Sequence, residues 1–94
     1  MEDIKEGRVL LDFYATWCGP CKVVSKQLDL YENEVTEVKV VRFDIEDPKN
    51  FKISQDFTIR SLPTLVYLEE GQVVNKVLGV KNLAQIKELT NINN

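Results

Sequence analysis

The chain reads Val9-Leu10-Leu11-Asp12-Phe13-Tyr14 and, after two further residues, Trp17-Cys18-Gly19-Pro20-Cys21-Lys22. The first segment is almost continuously apolar and rich in strand formers, which is typical of a strand covered on both faces. The second segment holds both cysteines of the chain, separated by two residues. Two sulfurs at this spacing can alternate between dithiol and disulfide with little backbone movement. The stretch therefore predicts a strand, then a redox-active turn.

The residues after Cys18 show helical periodicity. Apolar side chains recur every three or four positions, at Val24, Leu28, Tyr31 and Val35. We expect a helix from Cys18 to about Asn33, with those side chains on its buried face.

The remainder of the chain alternates strand and helix patterns. Residues 38–45 are β-branched and aromatic, and Asp47-Pro48 is an N-cap followed by proline, which opens a short helix toward Phe57. Residues 64–68 and 73–78 flank a glycine-bearing turn and predict an antiparallel hairpin, and Asn82 opens a last helix with a capping box. The order β-α-β-α-β-β-α predicts an α/β fold with a mixed sheet, in which the first three strands run parallel and the hairpin adds an antiparallel edge strand.

The bulk composition limits the class of protein. The 94 residues are 44% hydrophobic, which suits a single domain spanning residues 1–94. A net charge of −3 argues against affinity for nucleic acid or anionic membranes. We see neither a signal peptide nor an apolar run of membrane-spanning length, so we expect a cytoplasmic protein.

The chain has no histidine. This excludes Cys-His and Ser-His catalysis and every metal site with a histidine ligand. Two cysteines cannot complete a four-ligand zinc site, and zinc shared between two chains is the less favoured alternative, so we expect no metal. In a reducing compartment a single cysteine pair indicates a catalytic or redox-sensing role rather than a structural bridge, which supports thiol–disulfide exchange.

The two cysteines are expected to have different roles. At the first turn of the helix, unpaired backbone N–H groups and the helix dipole favour the Cys18 thiolate, which makes Cys18 the attacking nucleophile. Cys21 lies one turn inside, should point partly inward and is the resolving thiol, which leaves Cys18 the exposed sulfur. Gly19 lets a partner's backbone approach, and Pro20 fixes φ where no helical hydrogen bond is lost.

Resolution requires Cys21 to lose a proton, and Asp12 is the candidate acceptor. Its place inside an apolar strand makes ionisation costly, so burial should raise the pKa of this carboxyl toward a useful value. In the alternative interpretation, Asp12 lies at the strand end and is solvated or salt-bridged.

Residues 12–22 resemble the active-site segment of the thioredoxin family. Leu62-Pro63-Thr64 resembles the family's cis-proline loop, Gly71 its hairpin turn, and Gly79-Val80 the small-residue loop beside the cysteines. The resemblance covers nearly the whole chain from Val9. It implies a thioredoxin-like fold, with helices on both faces of a central four-stranded mixed sheet. The family's extra first strand and full first helix are expected to be missing at the N-terminus.

The resemblance also implies a function. It suggests a monomeric protein-disulfide reductase that carries electrons without a bound cofactor. Its partners would be oxidised substrate proteins and a separate thioredoxin reductase, linked to NADPH or to ferredoxin. Gly19-Pro20 between the cysteines favours this reducing branch over glutaredoxins and disulfide isomerases. Two alternatives stay open: a redox-insensitive scaffold recruited around Trp17, Leu62 and Val80, and a disulfide oxidase or isomerase.

Two positions depart from the family pattern. Tyr14 stands where the family usually has tryptophan, and Arg42 stands where it has a buried lysine. Arginine does not titrate, so Arg42 should hold Asp12 ionised and give it a lower pKa than in lysine-bearing relatives. In the alternative interpretation, Arg42 reaches solvent from the strand edge.

The remaining candidate residues would bind substrate or tune the nucleophile. Trp17 is expected to be a partly exposed cover that contacts substrates rather than a core aromatic. A cis bond before Pro63 would leave the Leu62 backbone free to pair with an extended substrate, whereas a plain strand-entry proline would not. The resemblance adds Gly79 and Val80 to this surface. Lys22 is a solvated residue whose charge adds to thiolate stabilisation.

Overall fold

The computed structural model of the chain describes residues 3–92. Its elements follow the predicted order. They are β1 (Arg8–Tyr14), α1 (Gly19–Glu34), β2 (Lys39–Asp44), a 3-10 turn (Pro48–Asn50) that leads into α2 (Phe51–Asp56), β3 (Thr64–Glu69), β4 (Gln72–Leu78) and α3 (Leu83–Leu89). The predicted N-caps are present: the Asp47 side chain accepts the Lys49 N–H, and Asn82 forms a capping box with Gln85.

The four strands form one mixed sheet in the order β2-β1-β3-β4. β1 and β2 are parallel, whereas β3 is antiparallel to both β1 and β4. The hairpin and the mixed sheet are confirmed, but the prediction that the first three strands run parallel is wrong for β3.

The direction of β3 follows from where its connection returns. β2 ends at Asp44, opposite the last residue of β1. β3 begins at Thr64, opposite Phe13, and therefore at the same end of the strands. The connection contains the short helical run from Pro48 to Asp56, and it returns the chain to the end of the sheet at which β2 finished. A strand that starts there must run back along β1, so the pairing is antiparallel.

The alternation of β1 divides the core between the two faces of the sheet. One face packs Leu10 against α1 and α3, through side chains that include Leu28, Tyr31 and Ile86. The other face packs Leu11 and Phe13 with the α2 region. Helices thus cover both faces, as predicted.

The β3–β4 hairpin closes with the two-residue loop Glu70-Gly71. Both residues have positive φ, 48° and 79°, which is the geometry of a type I′ turn. The twist of this turn matches that of the strands it joins.

Among residues 3–92, no helix is both long enough and apolar enough to cross a membrane.

Candidate active site

The two cysteines form a disulfide at the start of α1, with their Cα atoms 5.3 Å apart. Cys18 is the N-cap residue, and its Sγ accepts the backbone N–H of Cys21 at 3.1 Å. The Cys18 N–H in turn donates to the Ala15 carbonyl at 3.2 Å, which ties the N-cap to the end of β1. The sulfur of Cys18 therefore occupies the position at which an N-cap side chain accepts helical N–H groups, as the sequence predicted.

Both cysteines are buried in this oxidised state. Cys18 is 5% exposed and Cys21 is 3% exposed. The prediction of an exposed Cys18 beside a buried Cys21 is therefore wrong, because Ala15, Ile45 and Leu62 pack against the pair. The residues differ instead in their surroundings: Cys18 lines an outer groove, whereas Cys21 lines a separate cavity that it shares with Asp12.

The groove beside Cys18 has a volume of about 440 Å³. Trp17 forms one wall and is 66% exposed, which confirms an exposed cover rather than a core aromatic. Ile45, Ile59 and Arg60 also line the groove, and they were not predicted from the sequence as site residues. Ile59 and Arg60 lie just before Leu62-Pro63 in the chain, and that proximity was the only signal available for them.

The Leu62–Pro63 peptide bond is cis, as expected. Leu62 is half-buried against the cysteines, and within residues 3–92 its N–H and C=O form no backbone hydrogen bond. Gly79, with φ of +88°, donates its N–H to the Pro63 carbonyl at 2.9 Å. Gly79 and the half-exposed Val80 do not line the groove of Cys18, and Pro63 connects them to it.

Three further predicted residues lie at the start of α1. Gly19 is exposed, and a Cβ built on it would meet nothing within 4 Å, so the space above it is open to another molecule. Pro20 lies in the first turn of α1, where it costs no helical hydrogen bond. Lys22 is exposed and lines the mouth of the cavity that contains Asp12.

Asp12 is the buried carboxyl of the site. It is 2% exposed, and its Oδ1 atom has no hydrogen-bond partner within the described residues. Burial raises the pKa of Asp12 to about 6, against the opposing charge of Arg42. The predicted rise is thus present, and the solvated or salt-bridged alternative is wrong. Asp12 and Cys21 line the same cavity of about 350 Å³.

Arg42 lies opposite Asp12 in the β1–β2 pair but does not bind it. Its guanidinium turns to α1 and donates to Ser25 Oγ (2.9 Å), Asp29 Oδ1 (2.9 Å) and Glu32 Oε1 (2.5 Å). Arg42 does not pair directly with Asp12, because surface carboxylates bind the guanidinium without the cost of full burial. Its charge still lowers the Asp12 pKa but does not outweigh the effect of burial. A lower Asp12 pKa than in lysine-bearing relatives stays a prediction. The alternative, that Arg42 reaches solvent from the strand edge, is correct in part: β2 is an edge strand and the Arg42 side chain is 26% exposed, but α1 binds its guanidinium.

The described residues contain no group of three or more His, Cys, Asp or Glu side chains that could hold a metal ion. The group that can change oxidation state at this site is the disulfide itself.

Comparison with known proteins supports this interpretation of the site. Residues 1–91 match the family model described as Thioredoxin. The chain is 36% identical over 90 residues to a thioredoxin of Bacillus subtilis, covering 95% of this chain and 85% of the relative. It is 35% identical over 91 residues to one of Listeria monocytogenes, with 96% and 86% covered.

Solved structures give the same result. A mutant thioredoxin of Halobacterium salinarum matches with a TM-score of 0.80 and 32% identity, over 90% of this chain and 73% of that one. The oxidised mitochondrial thioredoxin 3 of Saccharomyces cerevisiae matches with a TM-score of 0.80 and 29% identity, over 93% and 80%. The similarity therefore covers the sheet, the helices and the cysteine pair together.

Proposed function

We propose which residue performs each step of the reaction in this chain, which belongs to the thioredoxin family. It is a thiol–disulfide oxidoreductase that reduces protein disulfides by exchange with its own cysteine pair. In our proposal Cys18 attacks, Cys21 resolves and Asp12 accepts the proton. The observation that carries it is the Cys18 Sγ at the N-cap of α1, with Asp12 and Cys21 on a shared cavity.

The first step is attack by the reduced Cys18. In the disulfide the Cys18 sulfur accepts the N–H of Cys21 and lies at the positive end of the α1 dipole, and both would favour the thiolate once the disulfide is reduced. Its sulfur bonds to one sulfur of the substrate disulfide, and the other substrate sulfur leaves as a thiolate. Gly19 and the groove beside Trp17 leave room for the approaching chain.

The second step is resolution by Cys21. Its thiol gives a proton to Asp12 and attacks Cys18 Sγ, which displaces the second substrate thiolate and leaves the Cys18–Cys21 disulfide. A carboxyl with a pKa of about 6 is a stronger base than an ordinary aspartate, so it accepts a thiol proton more readily. With no histidine in the chain, Asp12 is the buried base that the cavity offers to Cys21.

The substrate is bound beside Pro63. The free N–H and C=O of Leu62 can pair with an extended substrate segment in the manner of an added strand. Trp17 lines the same groove as Leu62 and supplies apolar contact. Gly79 and Val80 extend this surface through the hydrogen bond between Gly79 and Pro63.

Thioredoxins are generally reduced by a thioredoxin reductase and act on disulfide substrates. We propose that such a reductase, linked to NADPH or ferredoxin, returns this chain to the dithiol state for electron transport and redox homeostasis. We also propose that the chain acts as a single-domain monomer in the cytoplasm, where a reducing thiol pool suits an exchange-active pair.

Insulin reduction tests the proposed catalytic role of Cys18. Turbidity with dithiothreitol is followed for the unmodified protein and for Cys18→Ser, with circular dichroism to establish that the variant is folded. We expect the variant to give only the rate of dithiothreitol alone, because serine cannot form the mixed disulfide. Equal activity of the two proteins would refute the role.

A further inference from the structure

Arg42 and Asp12 are placed to form an ion pair, yet they do not form one. They are opposite each other on parallel neighbours, so their side chains leave the same face of the sheet. Both line the cavity of about 350 Å³ that also contains Cys21. Oδ1 of Asp12 nevertheless has no partner within the described part of the chain. The strand register therefore does not explain why the Arg42 guanidinium leaves the Asp12 carboxyl unpaired.

The competing acceptors lie on α1. Ser25, Asp29 and Glu32 are spaced i, i+4 and i+7, so they form one row on the helix face above β2. Each accepts a hydrogen bond from Arg42. Burial alone would lower the pKa of Arg42, but the hydrogen bonds to Glu32 and Asp29 raise it. The charged guanidinium is therefore bound at the helix surface.

We propose that Ser25, Asp29 and Glu32 are positioning residues, which keep the guanidinium of Arg42 on α1 and so leave the Asp12 carboxyl without a cationic partner. This inference rests on the proposed role of Asp12 as proton acceptor. It assigns a function to acidic residues outside the cavity, which touch neither the cysteines nor the substrate. They act on the reaction through Arg42.

The electrostatic surroundings of Asp12 make this placement consequential. The titratable or charged groups that face the cavity with Asp12 are Tyr14 from β1, Lys22 from α1 and Arg42 from β2, and Cys21 joins them only when the disulfide is reduced. On β3, Asp12 is opposite the apolar Leu65. Lys22 is exposed and its charge is screened by solvent, whereas Arg42 is only about one quarter exposed. Arg42 is therefore the cation whose position matters most to Asp12.

Release of Arg42 would weaken Asp12 as a base. An opposite charge within hydrogen-bonding range lowers a carboxyl pKa by roughly 1–3 units. A carboxylate stabilised in that way accepts the Cys21 proton less readily. Neutralising Asp29 and Glu32 also leaves the charge of Arg42 uncompensated. The release of Arg42 and the loss of this compensation both lower the Asp12 pKa.

The test is an NMR titration of the Asp12 carboxyl carbon in the oxidised protein, which requires no catalysis. In Asp29→Asn/Glu32→Gln we expect the Asp12 pKa to fall by about 1 unit. The matched control is Glu34→Gln, which removes a carboxylate of the same helix that pairs with Lys87. We expect a much smaller change there, because Glu34 does not bind Arg42.

A second pair of variants tests whether the effect passes through Arg42. We expect the same Asp12 pKa in Arg42→Met and in Asp29→Asn/Glu32→Gln/Arg42→Met, because no guanidinium remains to be released. An unchanged pKa in the double variant, or a fall that persists without Arg42, would overturn the proposal. Asp29 and Glu32 are exposed, so the substitutions should not prevent folding. Insulin reduction by the unmodified protein tests the proposed function separately.

Discussion

At the scale of one residue, the burial of the Asp12 carboxyl lowers the stability of the folded protein at neutral pH. The carboxyl is buried and unpaired, so its ionised form is disfavoured and the pKa rises to about 6. The native state then holds a proton that the unfolded chain releases near pH 4. The stability contribution of this proton is complete below about pH 4 and is lost as the pH rises through 6.

We therefore expect Asp12→Asn to stabilise the oxidised protein at neutral pH. The neutral amide avoids the cost of ionisation, which is about 3 kcal/mol for a rise of roughly 2 units. The gain should disappear below about pH 4, where the aspartate is also neutral. Urea unfolding between pH 3.5 and 8 measures it, with the exposed Asp56→Asn as control. A stability difference independent of pH would contradict this explanation.

Single residues also show where sequence reasoning succeeds. The burial of Asp12 follows from the apolar strand around it, and the N-cap position of Cys18 follows from the helical periodicity that starts there. The partners of Arg42 could not be predicted in this way, because several acceptors compete for one guanidinium. Which acceptor wins depends on how α1 lies over β2. The spacing of Ser25, Asp29 and Glu32 was visible in the sequence but had no meaning without that placement.

The β3–β4 hairpin illustrates the next scale, that of the element. Its turn was predicted from the glycine, but the structure shows that Glu70 also has a positive φ of 48°. A side chain other than asparagine, aspartate or glycine is disfavoured in that conformation. The loop is therefore built with one well-suited residue and one poorly suited residue.

We expect Glu70→Asn to stabilise the protein by about 0.5–1 kcal/mol, because Asn-Gly is the preferred pair in a type I′ turn. The matched control is Glu70→Gln, which removes the same charge without improving the backbone preference. Thermal and urea unfolding of both variants measure the difference. Equal stability of the two variants would show that charge, not φ, governs this turn.

Element types were easier to predict than element directions. Periodicity and capping residues identified every strand and helix from β1 to α3, because those signals are local. The antiparallel direction of β3 depends on the end of the sheet to which the preceding connection returns. That outcome involves residues far apart in sequence, so a local pattern does not determine it.

At the scale of the whole molecule, the cysteine pair and a polar hydrogen-bonded cluster lie at opposite ends of β1. The cysteines follow its last residue, and Arg8 at its first residue belongs to a polar cluster. Arg8 donates to Tyr67 Oη (2.6 Å) and to the Thr90 carbonyl (2.5 Å), while Tyr31 Oη and Thr90 Oγ1 share a hydrogen bond of 2.7 Å. The cluster joins α1, β1, β3 and Thr90, the C-cap residue of α3.

We expect Tyr31→Phe to lower the free energy of unfolding by about 1 kcal/mol, the net contribution of one hydrogen bond. Thr90 Oγ1 still donates to the Ile86 carbonyl, so it keeps a partner. Insulin reduction by the folded variant should be unchanged, because the substitution lies at the far end of the sheet. A loss of activity without loss of stability would show that the two ends are coupled.

The central claim is that Cys18 attacks the substrate disulfide and Cys21 resolves the mixed disulfide. Trapping the mixed disulfide tests this most directly. Cys18→Ser and Cys21→Ser are reduced, mixed separately with an oxidised substrate protein, and examined by intact-mass spectrometry. If Cys18 attacks and Cys21 resolves, Cys21→Ser accumulates a lasting adduct through Cys18, and Cys18→Ser forms none. An adduct that accumulates through Cys21 in Cys18→Ser, but not in Cys21→Ser, would contradict the account.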